Sequence, residues 1–305
     1  MNNPDPARPV GFIGIGTMGA PMVRCLHRAG HPLMIHDIDT ETARTVAAEV
    51  GAQQADSLAY VATACDVIIL MLPNSAIVRA VIGAPQGDGL AAHLREGAVV
   101  VDMSSSDPME TRKIGQQLAA QGVVLLDAPV SGGLRKAVAG TLAILLGGDD
   151  STTCERITPV LSAMGQVLRT GALGSGHATK ALNNYVSAAG LAAACEAVIV
   201  GRAFGLSADV LVDAINASAG RNNSTENKLK QFILNESYAE AGFALDLMAK
   251  DVALAAALGD AMGQKLPGLS AARALWAQAR EGLSPDADHT EIFRFLAEMP
   301  EQDTA

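Results

Sequence analysis

A short apolar run, Val10 to Ile15, passes straight into Gly14-Ile-Gly16-Thr-Met-Gly19 and then into apolar residues at helical spacing, Met18, Met22, Leu26 and Ala29, that stop at Gly30. A run with no polar face is what a parallel strand covered on both sides requires. Gly14 permits a tight turn, Gly16 lets the backbone approach a pyrophosphate, and Gly19 lets the helix pack on the strand, while the helix start supplies free N–H groups and a positive dipole end. Such glycine triplets recur by chance. With a strand before, a helix after, and a second strand from His31 to His36 ending in Asp37, the stretch reads as a dinucleotide-binding fingerprint, so the chain begins as a doubly wound α/β domain.

Asp37 selects among dinucleotides. A carboxylate at the tip of the second strand accepts hydrogen bonds from ribose hydroxyls and repels a 2′-phosphate. Asp39 and Glu41 add negative charge, and no arginine appears before Arg44, so NAD is expected and NADP is disfavoured. Asp39-Thr40 reads as a helix cap. Ala64 to Leu72 and Val99 to Asp102 form the third and fourth strands, each releasing a polar loop (Pro73-Asn74-Ser75 and Ser104-Ser105-Ser106) at the ligand-binding edge of an open α/β sheet. Val123 to Val130 forms the fifth and delivers Ser131-Gly132-Gly133, a hydroxyl beside unobstructed backbone N–H groups, which suits a carboxylate. A further strand at 140–148, a helix at 151–164 and a last strand near Val167 complete this part.

The 305 residues suffice for two domains, and the apolar content is mainly aliphatic. A net charge of −10 argues against nucleic acid or anionic membrane as partners. Cys25, Cys65, Cys154 and Cys195 show no metal or redox spacing and read as reduced core residues of a cytoplasmic protein. No metal is expected, and the histidines read as surface or capping residues, His177 excepted because it lies three residues before Lys180. Residues 1–9, polar and proline-rich, read as a disordered leader, residues 10–173 as the nucleotide-binding domain, and residues 174–305 as an all-helical domain for substrate binding and oligomerisation.

Helical patterns run at roughly 177–204, 207–217, 225–235, 245–262, 268–281 and 289–296. The first carries Lys180, Asn183 and Asn184 on one face in an almost uncharged stretch, so most of this helix is expected to be buried in protein interior. A lysine in an apolar wall loses hydration, its pKa falls, and it becomes a proton donor and acceptor near neutral pH. The apolar surface of this half predicts a homodimer or homotetramer.

Taken together, Gly14-Ile-Gly-Thr-Met-Gly19, Leu72-Pro73, Asp102-Met-Ser-Ser-Ser-Asp-Pro108, Asp127-Ala-Pro-Val-Ser-Gly-Gly133, Gly174-x-Gly176 with Lys180 and Asn183-Asn184, and Phe243 through Lys250-Asp251 resemble the β-hydroxyacid dehydrogenase family, in family order and over nearly the whole chain. The resemblance implies an N-terminal Rossmann domain with a mostly parallel sheet, an all-α C-terminal domain, and an active site in the cleft between them. It implies that Lys180 takes the proton from the substrate hydroxyl in oxidation and returns it in reduction, that Asn184 orients the substrate, and that Asn183 is a further polar contact. Ser131, Gly132 and Gly133 resemble the substrate carboxylate cradle. Gly14, Gly16, Thr17, Met18 and Gly19, together with Asp37, Leu72, Pro73, Ser105 and Lys250, resemble cofactor contacts.

Two departures bear on substrate. Many 3-hydroxyisobutyrate-type members carry glycine where Lys136 stands, so Arg135-Lys136 signals either a second anionic group on the substrate or a solvated helix start. Arg221 to Asn227 is polar where members often place a bulky aromatic. The leading expectation is an NAD-preferring dehydrogenase of a 3-hydroxyisobutyrate-like acid. The alternatives are a tartronate semialdehyde or other small semialdehyde reductase and a non-catalytic dinucleotide-binding protein; Lys180 argues against an imine reductase.

Overall fold

The computed structural model describes residues 8–83 and 86–299, so all but the last two residues of the expected leader lie outside the described residues. The chain divides into two units, residues 1–180 and residues 181–305.

In the first unit, β1 (Val10–Ile13), β2 (Leu33–His36), β3 (Gln53–Gln54), β4 (Val67–Leu70), β5 (Val99–Asp102) and β6 (Val124–Asp127) pair in parallel in the order β3-β2-β1-β4-β5-β6. This is the doubly wound order, with its switch point between β1 and β4. The sheet continues through β7 (Val130–Ser131) and β8 (Leu142–Gly147), which run antiparallel to each other, and β9 (Gly165–Gly171), which runs parallel to β8. Period-two alternation explains why the strand sequences show no polar face. Along β4, Val67 and Ile69 enter one core, which α1 (Gly19–Arg28), α2 (Thr40–Val50), α6 (Gly133–Ala139) and α7 (Ser151–Ser162) cover. Ile68 and Leu70 enter the other, under α3 (Leu58–Ala64), α4 (Ser75–Ile82) and α5 (Pro108–Ala119).

Two sequence boundaries move. The first strand ends at Ile13 because Gly14, at φ +99°, turns the chain out of the sheet. The expected strand from Val123 to Val130 breaks at Ala128-Pro129, and Val130-Ser131 changes partner to β8. Caps fall where short polar side chains precede helices. Asp39 accepts from the Glu41 and Thr42 N–H groups, and Asn74 accepts from Ile77 N–H.

The second unit holds most of α8 (Ser175–Phe204), then α9 (Ala208–Asn216), α10 (Asn223–Asn227), α11 (Leu245–Ala261), α12 (Pro267–Gly282) and α13 (Ile292–Glu298). Its core gathers Leu191, Cys195 and Val198 of α8 around the fully buried Trp276 of α12. The expected helix at 225–235 is instead α10 followed by a π turn at Leu229–Ile233. The expectation that most of α8 is buried needs correction, since only 39% of its most apolar window is covered in the single chain. Leu182, Val186, Val200 and Phe204 form an exposed stripe along it.

Candidate active site

The C-terminal ends of β1, β2, β4 and β5 bring the sequence-predicted cofactor residues to one edge. Gly19 is required there because a Cβ would lie 1.9 Å from the Gly14 carbonyl oxygen, so only glycine lets α1 start this close to the strand. A Cβ at Gly16 would instead meet no protein atom within 4 Å, so the protein's own packing does not require glycine there and the space beside it is open. Thr17 is exposed and Met18 caps α1, whose first turn carries no acidic residue. These features fit a dinucleotide pyrophosphate at a helix N-terminus. Asp37 accepts from Ile15 N–H at 2.5 Å through one oxygen and from Asp39 N–H at 2.8 Å through the other. A carboxylate offers about four acceptor sites, so capacity for ribose hydroxyls remains. Ile38, next in the chain, is 98% exposed.

Farther along the same edge, after β5, the serine run sorts itself by hydrogen bonding. Ser104 is buried, accepts Leu72 N–H at 2.9 Å through its hydroxyl, and gives its own N–H to Asp102 at 2.9 Å. Ser106, also buried, donates to the other Asp102 oxygen at 2.8 Å. Ser105 is the one that reaches the surface, on the same edge as Leu72 and the exposed Pro73. Ser131, Gly132 and Gly133 lead from β7 into α6, and the two glycines turn through positive φ of +131° and +68°. Arg135 and Lys136 stand exposed on α6.

The head of α8 is tied to this edge by a buried carboxylate. Asp127, at the end of β6, accepts from Gly174 N–H at 2.7 Å and from His177 N–H at 2.8 Å, satisfying donors that a helix start leaves over. Gly176 lies against the sheet, where a Cβ would fall 2.1 Å from the Leu145 carbonyl oxygen. His177 is 1% exposed and bonds to the Ser104 carbonyl through Nε2 at 3.1 Å and to the Thr111 hydroxyl through Nδ1 at 2.9 Å. A carbonyl only accepts, so Nε2 carries a proton. Its ring lies 3.7 Å from Asp102 and 3.8 Å from Asp127. His177 is therefore a core residue, and so is His289, which bonds to the Phe243 carbonyl at 3.0 Å. This corrects the surface reading of the histidines for His289. One helical turn beyond His177 comes Lys180, partly buried.

In the second unit, Asn184 is buried and donates to Asp251 of α11 at 2.5 Å, while Asn183, exposed, donates to the Asn184 side-chain oxygen at 3.1 Å. Lys250 lies 3.5 Å from the same Asp251. The candidate residues thus form two sets. The first unit holds Gly14 to Gly19, Asp37, Leu72, Pro73, Ser105, Ser131 to Gly133 and Lys180, and the second holds Asn183, Asn184 and Lys250. Lys180 and Asn184 share α8 four residues apart, on one face. Asp102, Asp127, His177 and Asp251 do not figure as site residues in the sequence reading. A charged residue ending an otherwise apolar strand was the available signal for the first two.

The family model described as the NAD binding domain of 6-phosphogluconate dehydrogenase matches residues 9–174, and that described as the NAD-binding part of NADP-dependent 3-hydroxyisobutyrate dehydrogenase matches residues 174–296. The chain is 38% identical over 259 residues to 2-(hydroxymethyl)glutarate dehydrogenase of Eubacterium barkeri, covering 85% of this chain and 84% of that one. It is 34% identical over 272 residues to 3-sulfolactaldehyde reductase of Escherichia coli, covering 89% and 90%. A solved Mycobacterium tuberculosis 3-hydroxyisobutyrate dehydrogenase with L-serine superposes with a TM-score of 0.85 at 33% identity, covering 95% of this chain and 99% of that one.

Proposed function

Because the chain belongs to the β-hydroxyacid dehydrogenase family, whose members are NAD(P)-dependent oxidoreductases of small hydroxy acids, we propose that it transfers hydride between NAD and a 3-hydroxyisobutyrate-like acid, with Lys180 as the proton-transfer group. Gly14, Gly16, Thr17, Met18 and Gly19 hold the pyrophosphate, Asp37 the adenosine ribose, and Leu72, Pro73, Ser105 and Lys250 the remainder of the dinucleotide. Bound NAD supplies the hydride acceptor. Ser131, Gly132 and Gly133 bind the substrate carboxylate. Lys180 Nζ takes the hydroxyl proton as the alcohol carbon becomes a carbonyl, and returns it in the reverse direction. Asn184 orients the hydroxyl, and Asn183 adds a polar contact.

The observation that carries this reading is the helix α8 itself. Its head is fastened by Asp127, Lys180 follows within two turns, and Asn184 is held by Asp251. NAD is preferred because Asp37 and the apolar Ile38 offer a 2′-phosphate a negative charge and no cation. A reductive role on a small semialdehyde is the second reading, favoured by the similarity to 3-sulfolactaldehyde reductase. The same reading includes a homodimer or homotetramer, supported by the exposed α8 stripe, and a cytoplasmic location, supported by four buried unpaired thiols.

The test is NAD and NADP reduction with a panel of 3-hydroxy acids (3-hydroxyisobutyrate, serine, glycerate, threonate and a sulfonate analogue), alongside Lys180→Ala. Turnover on at least one acid, lowered by roughly 10²- to 10⁴-fold in the variant with NAD affinity kept, is the expected result. Equal loss of turnover and NAD affinity would remove Lys180 from the acid–base role.

A further inference from the structure

On α8, Lys180, Asn184 and Ser187 follow at spacings of four and three and so line one face, Ser187 lying about 10 Å beyond Lys180 along the axis. Lys228 closes on this face from another element, with Nζ 3.5 Å from the Ser187 hydroxyl. Among the described residues that long bond is its one polar contact, and its ammonium forms no ion pair. The acid whose charge acts on it, Asp288, is already engaged, with one oxygen accepting Thr290 N–H at 2.8 Å and lying 2.9 Å from His289 Nδ1, and the other accepting Phe243 N–H at 2.8 Å. Cys195, the other group acting on it, is a buried thiol.

The backbone is irregular at the same place. The Lys228 carbonyl accepts from Ile233 N–H at 3.3 Å and the Leu229 carbonyl from Leu234 N–H at 2.8 Å, five residues on in each case, which makes Lys228 the start of the π turn. Such turns cost regular helix geometry and are frequent at functional sites. A partly buried cation with no carboxylate of its own is also unfavourable unless an anion meets it. Burial holds the lysine well below its usual range, at about 8, so it remains largely protonated at neutral pH.

We propose that Lys228, beside Ser187, receives a second anionic group of the substrate, so that the protein selects hydroxy acids carrying an additional carboxylate or sulfonate. The inference rests on the proposed function for the reacting end of the substrate, where Lys180 and Asn184 act. Lys228 then decides what the far end must be. It takes the part that the sequence assigned conditionally to Arg135 and Lys136, which stand exposed on α6.

The test is calorimetric titration of the full-length, NAD-saturated protein with glutarate, a dianion, and isobutyrate, a monoanion, using wild type, Lys228→Met and Lys228→Arg. Wild type is expected to bind glutarate at least about tenfold more tightly than isobutyrate. Lys228→Met should lose that preference while binding isobutyrate as before, and Lys228→Arg should keep most of it. Three results overturn the proposal: wild type with no preference for or no binding of glutarate, Lys228→Met with the preference intact, or Lys228→Met weakened equally toward both ligands, which would assign the lysine to the fold. Hydride transfer is read separately, so a protein inactive on every hydroxy acid would refute the proposed function without deciding this titration.

Discussion

Asp37 holds the loop after β1 and β2 through the N–H groups of Ile15 and Asp39, and in the proposed cofactor site the same carboxylate is the negative charge set against a 2′-phosphate. Asp37→Ala should raise the ratio of kcat/KM with NADP to that with NAD by about tenfold or more, at some loss with both cofactors. Steady-state kinetics with each cofactor checks this, and an unchanged ratio removes Asp37 from the selection. Lys228 makes a prediction of opposite character, because its charge is a burden to the fold. Burial pushes its folded pKa down to about 8 from the ordinary 10.5, and Asp288 offsets only part of the shift. The folded lysine therefore binds its proton less readily than the unfolded one. The cost is fully present below pH 8 and disappears as pH rises toward the unfolded value. Lys228→Met should raise the unfolding free energy at pH 7 by something on the order of 2 kcal/mol. The gain should shrink in denaturant melts taken between pH 8 and 10.5. A variant less stable than wild type at pH 7 would show that the ammonium supports the core around Asp288, His289 and Cys195.

Among the elements, the head of α8 depends most on one side chain. Asp127 accepts two N–H groups from a helix start that is buried against the sheet, so its removal strands both donors away from water. Asp127→Ala is expected to cost about 2–5 kcal/mol in urea unfolding, and Asp127→Asn, which keeps one acceptor oxygen, distinctly less. If both variants match wild type, some other group caps the helix. The same element shows what a linear reading can and cannot hold. The strands β1, β4 and β5 were legible because a parallel strand covered on both faces has no polar residue to confuse the pattern, and the shared helix face of Lys180 and Asn184 was legible because their spacing is local. His177 stood out by its position, but its partners did not, since Ser104 and Thr111 lie 73 and 66 residues away and only the fold brings them to the ring. Asp251 was hidden in the same way, 67 residues from Asn184. The break at Pro129 and the π turn after Lys228 escaped because apolar residues continue through both, and hydrogen-bond register leaves no mark on hydrophobic spacing.

At the scale of the whole molecule, the exposed stripe on α8 is too apolar to be left to water by design. Val186, Val200 and Phe204 are 68, 67 and 83% exposed in the single chain, and they recur on one side of a thirty-residue helix. An apolar face of this kind is what the proposed dimer or tetramer would cover. Light scattering after size exclusion should report a dimer or tetramer for wild type, and Val200→Glu with Phe204→Glu should shift it toward monomer with little change in helix content. A monomeric wild type would overturn that expectation.

The cysteines, placed earlier only as core residues, carry a different consequence. Cys25 and Cys154 lie in one core of the first unit, Cys65 in the other, and Cys195 in the core of the second. Burial drives the thiols of Cys65 and Cys195 up to about 12, so neither presents a thiolate to an alkylating reagent while its surroundings stay closed. Labelling must wait for the local structure to open. With no disulfide to reduce among them, the four thiols act as internal stopwatches, three in one half of the chain and one in the other. Peptide mass spectrometry of a timed alkylation would then read which half lets go first.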